Sequence, residues 1–104
     1  MPPTTAEVDA AREEMIRQLR DLKAILSPEV EAAVRAVPRH LFIPEVSIAQ
    51  AYAPEDSPVT KRDEHGIAIS SVSASRVQAL MLEQAQIRPG MKVLEIGSGA
   101  TTRP

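Results

Sequence analysis

The stretch Arg88-Pro-Gly-Met-Lys-Val-Leu-Glu-Ile-Gly-Ser-Gly99 decides how this chain is read. Pro89 and Gly90 break any preceding helix. Val93, Leu94 and Ile96 then form a nearly continuous apolar run, the pattern of a strand buried on both faces of a parallel sheet. Residues 91–96 are therefore expected to be a strand, with Gly97-Ser98-Gly99 as the turn after it. Glycine there lets the backbone bend sharply and lets a ligand approach the main chain. Such a strand needs parallel neighbours, each reached by a crossover of about a dozen residues or more. Nothing upstream reads as a second strand of that kind. The expectation is an α/β protein: an N-terminal helical portion over residues 1–90, then residues 91–104 as the first strand and glycine turn of a truncated, incomplete cofactor-binding domain.

Working outward, Thr4 and Glu7 have capping-box spacing. Behind them Val8, Ala11, Met15, Leu19, Leu22 and Leu26 recur at helical steps, which predicts a helix of about five turns. Arg12, Glu13, Arg17, Arg20 and Asp21 make its solvated face. Ser27-Pro28 restarts the chain as N-cap and first helical residue, and the next helix packs through Val30, Ala33, Val34 and Val37. Pro38 and Pro44 forbid a long helix between them. A turn or short helix is expected over residues 49–56. Residues 58–61 and 67–70 read as short extended segments around a polar turn at 62–66. A third long helix fits residues 75–86, with Val77, Leu80, Met81, Leu82 and Ala85 facing inward.

Composition narrows the function. The chain has 104 residues, a formal net charge of −2 and no cysteine. There is no electrostatic case for nucleic acid or an anionic membrane surface, and no thiolate site is available. No apolar run approaches a membrane span, so a cytoplasmic location is the expectation. With Phe42 and Tyr52 the only aromatic residues, the core should be aliphatic. His40 and His65 lie far apart without clustered carboxylates, so they are read as turn or surface residues and no metal site is assigned. Arg39 is read as a salt-bridge partner before a contact for a peptide carboxylate.

Three ordered segments carry a family resemblance. The stretch from Arg88 to Gly99 resembles motif I of class I methyltransferases, in the form found in protein-L-isoaspartate (D-aspartate) O-methyltransferases. Val37-Pro-Arg-His-Leu-Phe-Ile-Pro44 resembles that family's "VPRExFVP" segment. Val72-Ser-Ala-Ser-Arg-Val-Gln-Ala-Leu-Met81 resembles its "ISQPYIVALM" segment, and the wording is similar to a branch associated with lanthipeptide biosynthesis. Two departures stand out. The segment from Gly66 to Ser73 is about three residues longer than the family's Gly-Gln-Thr-Ile-Ser, and Ser75 stands where the family has proline.

The resemblance implies a Rossmann-like fold and a protein-repair transferase that uses S-adenosyl-L-methionine. Its partner would be a protein or peptide bearing an isoaspartyl or aspartyl carboxylate. A carboxyl group with a pKa near ~4 is already ionised at neutral pH, so it attacks the methyl carbon in one displacement without a general base. The remaining work is positioning. The resemblance gives Ser73 the role of holding one carboxylate oxygen, with Ser70 as its competitor; a purely structural reading makes Ser73 the N-cap of the third helix. Glu95, Gly97, Ser98 and Gly99 would line the cofactor side. The alternative is a non-catalytic fragment or peptide-binding module of a lanthipeptide-associated methyltransferase, and no turnover is expected from these 104 residues alone.

Overall fold

The computed structural model describes residues 3–96. Five helices and one hairpin follow in the order α1 (Thr5–Asp21), α2 (Pro28–Ala36), α3 (Arg39–Phe42), α4 (Ile48–Ala51), β1 (Val59–Arg62), β2 (Ala68–Ser71) and α5 (Ser75–Ala85). Among the described residues no helix is long and apolar enough to cross a membrane.

The expected capping box is present at the start of α1: the Glu7 amide donates to Thr4 Oγ1 at 3.1 Å, and the Glu7 side chain accepts from the Thr4 amide. Val8, Met15, Ile16 and Leu19 form its buried stripe. The helix ends earlier than the periodicity suggests. Lys23 adopts a left-handed conformation at φ 62°, and the Ala24 and Ile25 amides turn back to the Leu19 carbonyl. Ala24 and Ile25 are thereby drawn into the core, while Leu22 and Leu26 are left exposed.

α2 begins as expected, with Ser27 as N-cap, its hydroxyl accepting from the Val30 amide, and Pro28 in the first turn. It lies along α1, where Arg20 pairs with Glu31 and Arg35 pairs with Glu13 at 2.8 Å. Part of the charged face of α1 is thus an inter-helix seam at the surface. Such exposed pairs fix orientation more than they stabilise. No residue of α2 is fully buried; Val30 and Val34 pack against the core, but Ala33 and Val37 are exposed.

The two proline-bounded segments form α3 and α4, single turns of four residues each. Ile43, Ala51 and Tyr52 bring this region into the core with Val72 and Ala79. Tyr52 corrects the expectation of a purely aliphatic interior, and its hydroxyl meets His40 Nδ1 at 2.9 Å. Fully burying side chains such as Ile16 or Leu19 contributes about 1.5–3 kcal/mol each.

The hairpin pairs β1 and β2 antiparallel, with Val59 opposite Ser71, Lys61 opposite Ser70 and Arg62 opposite Ala68. Its turn is organised by Asp63, whose Oδ1 accepts from the His65 and Ile67 amides at 2.9 Å each. Gly66 closes the turn at φ 80°, a conformation that costs glycine little.

Two expectations are corrected. In α5 the buried residues are Ser75 and Ala79, with Leu80 partly buried, whereas Val77, Met81, Leu82 and Ala85 are exposed. Residues 91–96 do not form a paired strand. Met91, Val93, Leu94 and Ile96 face solvent, because no other strand among the described residues runs beside them. The architecture described is α/β, with its only sheet a two-stranded antiparallel hairpin among those residues.

Candidate functional site

Ser73 lies on the short link between β2 and α5, and it is exposed. Its hydroxyl makes no hydrogen bond among the described residues. The N-cap of α5 is Ala74, not Ser73, and no side chain caps the helix. The structural role expected for Ser73 is therefore not the one it plays. The hydroxyl stands one residue ahead of a helix start without a side-chain cap, where the Ser75 amide, with no partner among the described residues, and the helix dipole favour negative charge.

Ser70 is different. It sits half-buried in β2, and its Oγ accepts from Thr60 Oγ1 at 3.3 Å. A hydroxyl already engaged across the hairpin is less available to a ligand than one that is free.

Behind Ser73, Arg39 joins three elements. Its Nε donates to the Ala51 carbonyl at 2.7 Å, Nη1 to Gln78 Oε1 at 2.6 Å and Nη2 to the Ser73 carbonyl at 3.1 Å. The expected salt bridge is absent: no carboxylate pairs with Arg39 among the described residues. Burial pulls its pKa below the usual arginine value, partly offset by Tyr52, and a guanidinium with that starting value stays charged at neutral pH. The planar fork suits this bridging, since its donors point in fixed directions. The result is a half-buried, unneutralised cation that pins the main chain of Ser73. Sequence reasoning missed Gln78 and the Ala51 carbonyl, which become partners only through tertiary folding.

Two residues after Ser73, Ser75 is buried, and its Oγ has no hydrogen-bond partner among the described residues. Next to it, Arg76 pairs with Glu55 at 2.7 Å and its amide donates to the Pro54 carbonyl. At the other end of α5, Glu83 Oε2 accepts from the Leu26 and Ser27 amides at 2.6 and 2.7 Å and from Ser27 Oγ at 3.1 Å. This carboxylate caps α2 from a distant part of the chain and ties α5 to it. Beside it opens a groove of about 630 Å³ lined by Val30, Ala33, Leu82, Ile87 and Pro89 among others. Neither Ser73 nor Ser70 lines this groove.

The cofactor-side residues are only partly described. Glu95 is exposed, and its carboxylate takes no hydrogen bond among the described residues. Gly97, Ser98 and Gly99 lie outside the described residues. His65 belongs to the hairpin turn, and no group of three His, Asp or Glu side chains clusters as metal ligands among the described residues.

Comparison with known proteins gives a consistent picture. The family model of protein-L-isoaspartate(D-aspartate) O-methyltransferase matches residues 10–103. A protein-L-isoaspartate O-methyltransferase of Methanopyrus kandleri is 37% identical over 90 residues, which cover 86% of this chain and 37% of the relative. One from Hyperthermus butylicus is 39% identical over 90 residues, covering 86% of this chain and 34% of the relative. A second protein of this name from Archaeoglobus fulgidus is 38% identical over 93 residues, 89% of this chain and 39% of the relative. The chain thus spans a little over a third of the length of these curated relatives. No solved structure matches. On the span of the family match, which takes in the Arg39, Ser73 and Glu95 segments alike, the chain belongs to the protein-L-isoaspartate(D-aspartate) O-methyltransferase family.

Proposed function

We propose that this chain carries the substrate-side portion of an S-adenosyl-L-methionine-dependent carboxyl O-methyltransferase acting on isoaspartyl residues of proteins or peptides. Residues 1–90 are that substrate-side region, and residues 91–104 begin the cofactor-binding, Rossmann-like part. The observation that carries the reading is Ser73: an exposed hydroxyl without a partner, next to a helix start without a side-chain cap and backed by an unneutralised arginine.

The chemistry follows from the substrate. An isoaspartyl carboxylate is ionised at neutral pH, so the site needs no base. Ser73 Oγ donates to one carboxylate oxygen, and the other oxygen remains free as nucleophile. The α5 start and Arg39 favour the anion electrostatically, and the Arg39 hydrogen bond holds the Ser73 carbonyl so that the hydroxyl keeps its place. Glu95 would hydrogen-bond in the cofactor pocket, directly or through water, with Gly97, Ser98 and Gly99 leaving room beside the main chain. When bound, S-adenosyl-L-methionine supplies an electrophilic methyl group on a sulfonium cation. Excluding water from this oppositely charged pair strengthens their attraction. Ser70, already bonded across the hairpin, is the second candidate for Ser73's role.

The test is an NMR titration of the isotope-labelled chain with an isoaspartyl peptide. An aspartyl peptide and one carrying the isoaspartyl carboxamide serve as comparisons. The expected shifts fall on the amides of Ser73, Ala74, Ser75 and Gln78 with the isoaspartyl peptide, not with the carboxamide, and disappear in Ser73→Ala. A response to the aspartyl peptide as well extends the substrate class to aspartyl carboxylates of biosynthetic peptides. Shifts confined to another surface, or unchanged in Ser73→Ala, would remove Ser73 from the site.

A further inference from the structure

Arg39 meets neutral acceptors on three sides. Its Nε and Nη2 donate to the main-chain carbonyls of Ala51 and Ser73, and its Nη1 donates to the side-chain oxygen of Gln78 at 2.6 Å. A guanidinium only donates, so it decides which end of the amide faces it: Gln78 Oε1 turns toward Arg39 and Nε2 away. The Ser73 carbonyl and Gln78 Oε1 are therefore neighbours, held by the two Nη nitrogens of one planar group. Gln78 is half-buried, one turn into α5. Among the described residues the ionisable group that bears on Arg39 is Tyr52, a phenol, and no carboxylate does.

The amide at this position has a consequence for charge. Glutamate has the same reach and nearly the same shape as glutamine, and a carboxylate would hold Arg39 more strongly than an amide oxygen does. It would also cancel the positive charge behind Ser73, and its own negative charge would oppose any carboxylate brought to the Ser73 hydroxyl. Glutamine gives the arginine an acceptor and leaves its charge in force. The family segment "ISQPYIVALM", which residues 72–81 resemble, has valine at this place, so the arginine–amide pair belongs to this chain's own wording.

We infer that Gln78 is a specificity-determining positioning residue: it anchors Arg39 without neutralising it, and so makes the Ser73 site prefer a carboxylate to an uncharged carboxamide. The inference rests on the carboxyl-methyltransferase reading above and adds the group that sets the charge of its substrate side. Gln78 acts through Arg39 and need not touch the substrate. A unit charge several ångströms away in a partly solvated site, with salt screening, changes the affinity of an anion by about tenfold.

The test measures dissociation constants by NMR titration of the 104-residue chain with the isoaspartyl peptide and with its carboxamide counterpart. The unaltered chain should prefer the isoaspartyl peptide, and raising the salt concentration should narrow that preference. Gln78→Glu should weaken the isoaspartyl peptide about tenfold and leave the carboxamide within about twofold. Gln78→Val removes the acceptor but adds no charge, so it should keep the preference even where both peptides bind somewhat less well. The carboxyl introduced by Gln78→Glu, followed by carbon-13 NMR, should titrate below the ordinary glutamate value of about 4.3 because Arg39 faces it. An unchanged circular-dichroism spectrum identifies folded variants. An unaltered chain that binds neither peptide, or both alike, removes the methyl-transfer reading and this inference with it. Where the unaltered chain does discriminate, a Gln78→Glu chain that keeps the preference, or weakens both peptides equally, overturns the inference alone. So does a preference lost in Gln78→Val, or an introduced carboxyl that titrates at its ordinary value.

Discussion

Replacing Ser75 by proline is expected to stabilise the chain, and the structure gives the reason in three parts. Ser75 is only 6% exposed and its Oγ has no hydrogen-bond partner among the described residues, so folding strips that hydroxyl of water without return. An unsatisfied buried hydroxyl costs about 1–3 kcal/mol. Ser75 is also the first residue of α5, where proline's fixed φ suits the helix, and its amide makes no hydrogen bond that proline would forfeit. The preceding Ala74 sits at φ −56° and ψ 142°, inside the region that a residue before proline prefers. Proline at a compatible site adds about 0.4–1 kcal/mol by restricting the unfolded chain. Allowing for the fit of the ring, Ser75→Pro should gain about 1.5 kcal/mol, or roughly 6–12 °C in Tm for a domain of this size. Ser75→Ala, which removes the hydroxyl alone, should gain about 1 kcal/mol. Thermal and urea denaturation followed by circular dichroism measure both. A loss of stability in Ser75→Ala would mean that the hydroxyl is satisfied in the folded state, and a Ser75→Pro variant less stable than Ser75→Ala would mean that the helix start does not accept the ring.

Two further perturbations probe the links between elements. Burial raises the Glu83 carboxyl, but the Leu26 and Ser27 donors outweigh it and leave its pKa below the ordinary 4.5. A lowered carboxyl pKa stabilises the fold above the unfolded value, and that contribution is lost as pH falls through the lower folded value. Glu83→Gln should therefore lower the urea midpoint at neutral pH, with the difference from the unaltered chain closing in strongly acidic buffer; a pH-independent difference would contradict the capping role. Arg39→Met leaves the Ser73 and Ala51 carbonyls without their donor and should cost about 2–3 kcal/mol, with Arg39→Lys intermediate because an ammonium cannot span three acceptors in fixed directions. Equal stability of all three chains in urea titrations would show that Arg39 does not join these elements.

Much of the fold is legible in local sequence. Thr4 and Glu7 announce the α1 start, Ser27 and Pro28 the α2 start, and the polar turn around Asp63 and Gly66 the hairpin, because each is decided within a few residues. The end of α1 is not legible, since Lys23 takes a left-handed conformation without being glycine. The apolar faces of α5 and of residues 91–96 are visible as patterns, yet a pattern records what a face is suited to meet, not what covers it. Val77, Met81, Leu82, Val93 and Leu94 are accordingly exposed where the periodicity suggests burial.

The candidate site divides in the same way. Ser73 is found through its segment, but the shift of the α5 N-cap to Ala74 leaves its hydroxyl free instead of capping, a backbone detail that spacing does not encode. Arg39 stands out as a charged residue between prolines, while its partners Gln78 and the Ala51 carbonyl depend on how α3, α4 and α5 meet.

The most direct test joins residues 1–96 of this chain to the remaining part of the Methanopyrus kandleri relative and measures base-labile radiolabelled methyl ester formed on an isoaspartyl peptide. The account predicts methylation that Ser73→Ala lowers by about tenfold or more, the value of one hydrogen bond to a charged group, while Ser70→Ala changes little. A folded, cofactor-binding chimera that leaves the isoaspartyl peptide unmethylated, or one that is indifferent to Ser73→Ala, would contradict it.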